Sequence, residues 1–109
     1  MSALTFSLKK PLQFAINCAA LTPDGLANRP LSEIAALTLD HGKQAVRVDE
    51  LFDISGQDSA SLRFLNATEQ LDYLGANMRS GRIDISGDGG AYLGFGMKGG
   101  EIHCQGNTR

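Results

Sequence analysis

One segment of the sequence returns after 19 residues, and this repeat limits the possible folds more than any other feature. Residues 73–88 read YLGANMRSGRIDISGD, and residues 92–107 read YLGFGMKGGEIHCQGN. Most of the matching positions are glycine or apolar residues. In the first copy they are Gly75, Met78, Gly81, Ile83, Ile85 and Gly87, and in the second they are Gly94, Met97, Gly100, Ile102, Cys104 and Gly106.

The spacing within each copy is typical of a β-strand between two sharp turns. Ile83 and Ile85 are two residues apart, which places both side chains on one face of a strand. Glycine on either side allows the backbone to turn sharply. A strand and a corner every 19 residues correspond to one coil of a β-solenoid. Equivalent residues then stack about 4.8 Å apart, and about three coils are needed for stability.

A degenerate earlier copy of the repeat precedes the two clear ones. Its Leu62, Phe64 and Asn66 match Ile83, Ile85 and Gly87, with two extra residues before Tyr73. The sequence therefore predicts a mostly β fold, in which residues 60–109 form the first coils of a right-handed parallel β-helix. Residues 1–59 are predicted to form a small mixed region, with strands and one short helix, that packs on this solenoid.

The predicted elements of the N-terminal region follow from its alternation and turn residues. Apolar residues alternate with polar ones at 4–8, 14–18 and 46–48, which indicates strands, and residues 51–54 read as a further strand. Turns are expected at 22–25, at 40–42 and near 56–59, where proline, aspartate and glycine cluster. Residues 31–37 are expected to form the helix, with Pro30 at its first position.

Charge and composition exclude two classes of protein. The chain has 10 Lys and Arg against 12 Asp and Glu, a balance that does not suit a nucleic-acid-binding surface. No apolar run approaches the roughly 18 residues that a membrane span requires, and the N-terminus lacks a signal-peptide pattern. We expect a cytoplasmic protein without a membrane partner, whose Cys18 and Cys104 are free, buried thiols.

No catalytic, cofactor-binding or metal-binding residue is predicted in this chain. Gly94, Gly96 and Gly99 spell a dinucleotide fingerprint, but a strand-like segment follows them where that motif requires a helix. His103 and Cys104 are adjacent and so face opposite sides of a strand, which argues against a shared metal ion. The Asp84 and Asp88 pair is not retained in the next copy, where His and Asn replace the two carboxylates.

Arg79 and Lys98 occupy equivalent positions of the two copies and should stack in one outward column. Like charges at that distance repel unless carboxylates neutralise them. One interpretation is that both side chains are solvated and lean apart. The other is that they contact an acidic patch on a partner protein of the same complex.

The repeat Gly-x-x-Met-x-x-Gly-x-Ile-x-(Ile/Cys)-x-Gly is similar to the GXGXG β-helix domain. That domain occurs in the glutamate synthase large subunit and in the C subunit of formylmethanofuran dehydrogenase. A bacterial counterpart of this C subunit belongs to the formyltransferase/hydrolase complex. The segments LTPDGL at 21–26, LSEI at 31–34 and LFDISG at 51–56 resemble the opening of the C subunit in the same order.

This resemblance implies a non-catalytic scaffold subunit of a one-carbon enzyme complex that serves methanogenesis or methylotrophy. The one-carbon carriers of this metabolism are methanofuran and tetrahydromethanopterin. The expected partners are amidohydrolase-like, formyltransferase-like or formate-dehydrogenase-like subunits. These subunits would carry any zinc, molybdenum or tungsten and would act on methanofuran-type formyl carriers.

Two other functions stay open at the level of sequence. The chain could line a formyl-carrier site, or it could be a spacer domain like that of glutamate synthase. Family members continue through more coils, whereas this chain stops at Arg109. Either the chain is a shortened form, or another chain covers its last coil. We therefore also expect self-association through that coil.

Overall fold

The computed structural model consists of short strands and helices around one hydrophobic core. It describes residues 3–9, 15–27, 29–41, 44–56, 58–68, 70–90 and 92–106. The elements in chain order are β1 (Ala3–Leu8), β2 (Ile16–Asn17), α1 (Pro23–Leu26), α2 (Leu31–Ala36), β3 (Thr38–His41), β4 (Gln44–Arg47), α3 (Val48–Leu51), β5 (Phe52–Ser55), β6 (Asp58–Ala67), β7 (Leu71–Asp72), β8 (Arg82–Gly87) and β9 (Glu101–Cys104).

The strands form two sheets, and both sheets mix parallel with antiparallel pairs. The larger sheet has the order β5-β1-β6-β8-β9. In it β5 pairs antiparallel with β1, while β1, β6, β8 and β9 run parallel to one another. The smaller sheet has the order β4-β3-β2-β7, and only its β2–β7 pair is parallel. The N-terminal strand β1 therefore lies inside the sheet that contains the repeats.

The register of the two clear repeats is the predicted one. Ile83 lies opposite Ile102, and Ile85 lies opposite Cys104, in the parallel pair of β8 and β9. The backbone N–H of Glu101 donates to the carbonyl of Gly81 at 3.0 Å, which continues the pairing beyond the strand. The interval of 19 residues is thus the path length from one strand to its parallel neighbour.

The degenerate copy pairs as predicted over only part of its length. Leu62 and Phe64 of β6 lie opposite the two isoleucines of β8. After Phe64 the register shifts, so that Ala67 rather than Asn66 faces Gly87. Asn66 adopts a left-handed backbone with φ 58°. This bulge absorbs part of the longer spacing between β6 and β8.

The predicted architecture, a right-handed parallel β-helix preceded by a small mixed region, is wrong. The chain instead folds into two small mixed sheets. Within the described residues the two clear repeats supply only strands β8 and β9 to the larger sheet, too few for a multi-coil solenoid. Strands from the N-terminal half fill both sheets, because the repeats alone cannot bury their apolar face. The division of the chain at residue 60 stays a prediction.

The helices differ from prediction at two places. The helix predicted at 31–37 is confirmed as α2. The turn predicted at 22–25 is the short helix α1, capped by the Thr22 hydroxyl, which accepts the N–H of Gly25 at 3.0 Å. The strand predicted at Val48 is wrong, because this residue begins α3. Val48 and Leu51 are both buried at a spacing of three residues, so helical periodicity prevails over the β-propensity of valine.

Other sequence predictions have simpler outcomes. The first strand is confirmed as β1. The turn predicted at 40–42 is wrong at its first two residues, which end β3. The predicted alternation at 14–18 is seen from Ile16, since Phe14 lies outside the described residues. No helix in the described part of the chain is long and apolar enough to cross a membrane.

Three phenylalanine rings join the N-terminal strands to the repeats. Phe6 of β1 stacks on Phe64 of β6 with centroids 5.0 Å apart. Phe52 of β5 lies edge-on to both rings, at 5.8 and 6.1 Å. All three side chains are buried. Such pairs contribute about 0.5–1.5 kcal/mol each beyond their burial, so β5, β1 and β6 are held together by side chains as well as by backbone hydrogen bonds.

Two glycines of the repeat should differ sharply in their tolerance of alanine. Gly87 has φ +121°, and a Cβ there would collide with the backbone carbonyl oxygen of Ala67. Gly94 has φ +70°, and the nearest atom to its Cβ would be 3.4 Å away. We expect Gly87→Ala to lower the free energy of unfolding by about 2–4 kcal/mol. Gly94→Ala should cost only about 1 kcal/mol. Urea denaturation measures both, and equal losses would contradict this packing.

Candidate partner-binding site

The turns before β8 and β9 lie directly on one another. The N–H of Asn77 donates to the carbonyl of Phe95 at 2.7 Å, and the N–H of Lys98 donates to the carbonyl of Met78 at 2.8 Å. The Met78 side chain is fully buried beneath the turn. The two repeats therefore continue their backbone pairing outside the strands, and the outer side chains of these turns have a fixed spacing.

A carboxylate from the N-terminal half anchors the first of these turns. Asp24 of α1 accepts hydrogen bonds from the Arg79 backbone N–H at 2.6 Å and from the Ser80 hydroxyl at 2.9 Å. The first of these bonds contributes most to holding the pKa of Asp24 below its usual range. This contact links residues that are 55 and 56 positions apart and determines where the Arg79 turn lies.

Arg79 and Lys98 are both exposed on these stacked turns. Within the described residues neither side chain forms an ion pair or a hydrogen bond. The Asp24 carboxylate is near Arg79, but it is already held by two hydrogen bonds from the backbone and a hydroxyl. The structure brings the two predicted cations to neighbouring positions, and their role in binding a partner stays a prediction.

An aromatic cluster lies on the same pair of turns. The Tyr73 and Tyr92 rings stack with centroids 4.9 Å apart and an interplanar angle of 14°. Phe95 is edge-on to both, at 5.9 and 5.8 Å. Tyr92 and Phe95 are 58% and 55% exposed. Both tyrosines have a left-handed backbone, with φ 62° and 59°, so the stack helps to hold two strained corners.

The outward face of β8 and β9 carries a network of charges. Arg82 binds the Asp84 carboxylate through two nitrogens, each at 3.0 Å. His103 donates to Glu101 at 3.0 Å, and this bond holds the pKa of Glu101 below its ordinary value. The pair of His103 and Glu101 is exposed, and the pair of Arg82 and Asp84 is partly exposed. These groups satisfy one another, and exposed pairs of this kind contribute at most about 1 kcal/mol.

His103 and Cys104, the adjacent residues considered as metal ligands, lie on opposite faces of the last strand. His103 lies opposite Asp84 in the register, while Cys104 lies opposite Ile85 on the other face. Nowhere in the described ranges do three His, Cys, Asp or Glu side chains form a group that could hold a metal ion. Gly94, Gly96 and Gly99 lead into strand β9, as predicted for that segment.

The two cysteines are free, but they differ in burial. Cys18 is fully buried, and this burial raises the pKa of its thiol. The prediction of a buried thiol is wrong for Cys104, which is only partly buried. Cys104 belongs to the last strand of the sheet order, where its thiol donates a long hydrogen bond of 3.6 Å to the carbonyl of Gly87.

The repeat residues fall into two groups in the structure. Buried side chains of the first copy form part of the core, and their equivalents in the second copy are partly buried against it. The glycines at the corners adopt positive φ; they are Gly75, Gly81, Gly87, Gly94 and Gly100. Gly106 lies against the carbonyl of Gly87.

Two features of this surface were missed by reasoning from sequence. The Asp24 contact is long-range, and no local signal marks it. The tyrosine stack could have been found, because Tyr73 and Tyr92 recur at the repeat interval and equivalent residues of neighbouring strands lie side by side.

Replacing Asp24 with asparagine should weaken the fold in a pH-dependent way. The native carboxyl has a lowered pKa, so its stabilising effect is complete above the unfolded pKa of about 3.9. The effect is lost as pH falls through the lower folded value. We expect Asp24→Asn to lower the urea midpoint at pH 7 and to match the native chain in strong acid. Asp53→Asn is the control, since that exposed carboxylate lies 3.9 Å from Lys9. A midpoint difference that is constant with pH would contradict the assignment.

Comparison with known proteins gives consistent relatives, although no family model matches the chain. The C subunit of tungsten-containing formylmethanofuran dehydrogenase 2 from Methanococcus maripaludis is 30% identical over 95 residues, which is 85% of this chain and 35% of the relative. The C subunit of molybdenum-containing formylmethanofuran dehydrogenase 1 from Methanosarcina barkeri is 29% identical over 90 residues, 78% of this chain and 30% of the relative.

A solved structure shares the fold. A chain in the X-ray structure of the formyltransferase/hydrolase complex FhcABCD from Methylorubrum extorquens, in complex with methylofuran, matches with a TM-score of 0.81. The match has 24% identity and covers 95% of this chain and 46% of that one. This chain thus spans about a third of the curated relatives' length. Over that part, the resemblance to the C subunit of formylmethanofuran dehydrogenase that was found in the sequence is confirmed.

Proposed function

We propose that this chain is a structural subunit of a formylmethanofuran dehydrogenase or formyltransferase/hydrolase complex, and that other subunits perform the catalysis. The observation that carries the proposal is the alignment of 85% of the chain with the C subunit of such a dehydrogenase. The arrangement of side chains supports it. The polar groups on β8 and β9 are hydrogen-bonded to one another, and among the described residues no three His, Cys, Asp or Glu side chains form a group that could hold a metal ion.

Metal chemistry is assigned to the partner subunits in this proposal. The relatives are named for tungsten and molybdenum. The residues described in this chain do not fit such a metal, because no group of three ligating side chains is found among them. The proposed partners are amidohydrolase-like, formyltransferase-like or formate-dehydrogenase-like subunits that act on a methanofuran-type carrier. The relatives named above favour this role over that of a glutamate synthase spacer.

Arg79 and Lys98 are the residues through which we propose that the chain contacts an acidic partner surface. Their backbones are fixed by the stacked turns and by Asp24, so little backbone ordering would be needed on binding. Both charges lack an ion pair within the described part of the chain. A carboxylate from a partner would remove the repulsion between them. The exposed Tyr92 and Phe95 on the same turns add apolar area to this surface.

The isolated chain should show no turnover with formyl carriers. It should not hydrolyse, transfer or reduce formyl groups in assays that detect activity of the intact complex, because the Cys104 thiol lies on the opposite face of β9 from the hydrogen-bonded pair of His103 and Glu101. Colorimetric detection of released formate is a suitable measurement. Activity of the purified chain that a single substitution in it abolishes would contradict a purely structural role.

Reversing the charge at the stacked turns should release the partner subunits. We expect the double substitution Arg79→Glu, Lys98→Glu to reduce co-purification of the formyltransferase-like and amidohydrolase-like subunits at least about tenfold. The residual binding of these subunits should depend less on salt concentration than the binding of the native chain. Arg63→Glu, an exposed arginine on β6, is the matched control and should leave assembly unchanged. Equal effects of the two variants, read by quantitative mass spectrometry, would contradict this contact.

A further inference from the structure

A pocket of about 290 Å³ opens beside α2. Its walls come from strand β1, from α2 and the two residues before it, from Gly56 after β5 and from Ser59 near the start of β6. Leu4 and Ile34 provide its apolar floor and are 1% and 2% exposed. The volume is close to the lower end of the roughly 300–1,000 Å³ typical of small-ligand sites.

The described residues of the pocket wall include one cationic side chain, that of Arg29. The Nε of Arg29 donates to the carbonyl of Gly25 at 3.0 Å, which fixes the base of the guanidinium. The group has five N–H donors, and no partner for the others is found within the described residues. Glu33, one turn further along, makes no ion pair with it in that part of the chain. The guanidinium is therefore held in place with its outer edge available.

The remaining lining completes a surface that is apolar with a polar edge. Leu31 is 41% exposed and extends the apolar floor to the rim. The Ser59 hydroxyl, which is half-buried, adds a second polar group. Among the described residues that line the pocket, none has an acidic side chain. A cationic ligand would therefore be repelled by the unpaired arginine. A small inorganic anion could pair with the arginine, but it would leave the apolar floor of the pocket in contact with water.

We propose that this pocket binds a carboxylate attached to a branched apolar group. The apolar group would lie on Leu4 and Ile34, and the carboxylate would pair with the outer edge of the Arg29 guanidinium. Two parallel N–H···O bonds make this pairing stronger than a neutral hydrogen bond. A free branched-chain acid and the C-terminal residue of a polypeptide present the same chemistry.

The test compares an acid with its amide on the full 109-residue chain. Ligand-observed NMR would follow isocaproate, isocaproamide and acetate. We expect isocaproate to bind about tenfold or more tightly than the amide, because the hydrogen bonds to a charged group are lost in the amide. Acetate should not bind measurably, because it lacks the apolar group. Equal binding of acid and amide, or no binding of isocaproate, would overturn the proposal.

Variants separate the pocket from a non-specific effect of charge. Arg29→Met retains the apolar stem and should abolish the preference for the acid, whereas Arg63→Met on β6 should retain it. Leu31→Ser, at an exposed position, should weaken isocaproate and isocaproamide alike. Each variant is folded if its urea midpoint equals that of the native chain. A preference for the acid that survives Arg29→Met would place the ligand elsewhere.

A third arm identifies the source of the carboxylate. Peptides that end in leucine are compared with a free and with an amidated C-terminus. A free peptide that binds more tightly than isocaproate supports a polypeptide terminus as the ligand, and one that binds more weakly supports a small acid. Both results are consistent with the proposed chemistry. A free and an amidated peptide that bind equally, as tightly as isocaproate, would overturn it.

Discussion

The parallel hydrogen bonding of β6, β8 and β9 is the interaction on which the rest of this structure depends. It places Ile83 beside Ile102 and sets the distance between successive turns. A one-residue slip in this pairing would move every buried side chain of a strand to the solvent face. The bulge after Phe64 shows how the chain preserves the register despite a longer connection. This pairing therefore sets the spacing of the exposed side chains on the turns.

The N-terminal half turns this short parallel array into a stable domain. Strand β1 lies between β5 and β6, and its Phe6 packs on Phe64 and Phe52. Asp24 then ties α1 to the first turn of the repeat. The surface proposed to bind partners is thus positioned by contacts from both halves of the chain.

Local features of the fold were predictable, and long-range ones were not. The pairing of Ile83 with Ile102 follows from an exact repeat and a period of two residues. Alternation at the N-terminus identifies β1 as a strand but gives no indication of its neighbours, and this is why the solenoid prediction failed. The strand predicted at Val48 is wrong because the propensity of valine and its helical spacing conflict. The exposure of Arg79 was predictable from its position, whereas its anchoring by Asp24 was not.

Amide hydrogen exchange measured by NMR tests most directly whether β1 and the repeats form one unit that positions the partner surface. The amides of Leu4 and Phe6 should exchange with the same free energy of opening as those of Ile83 and Ile85, since all lie in one sheet around one core. Rapid exchange throughout β1, while β6 and β8 stay protected, would show that the repeats fold without the N-terminal strand and would contradict this account.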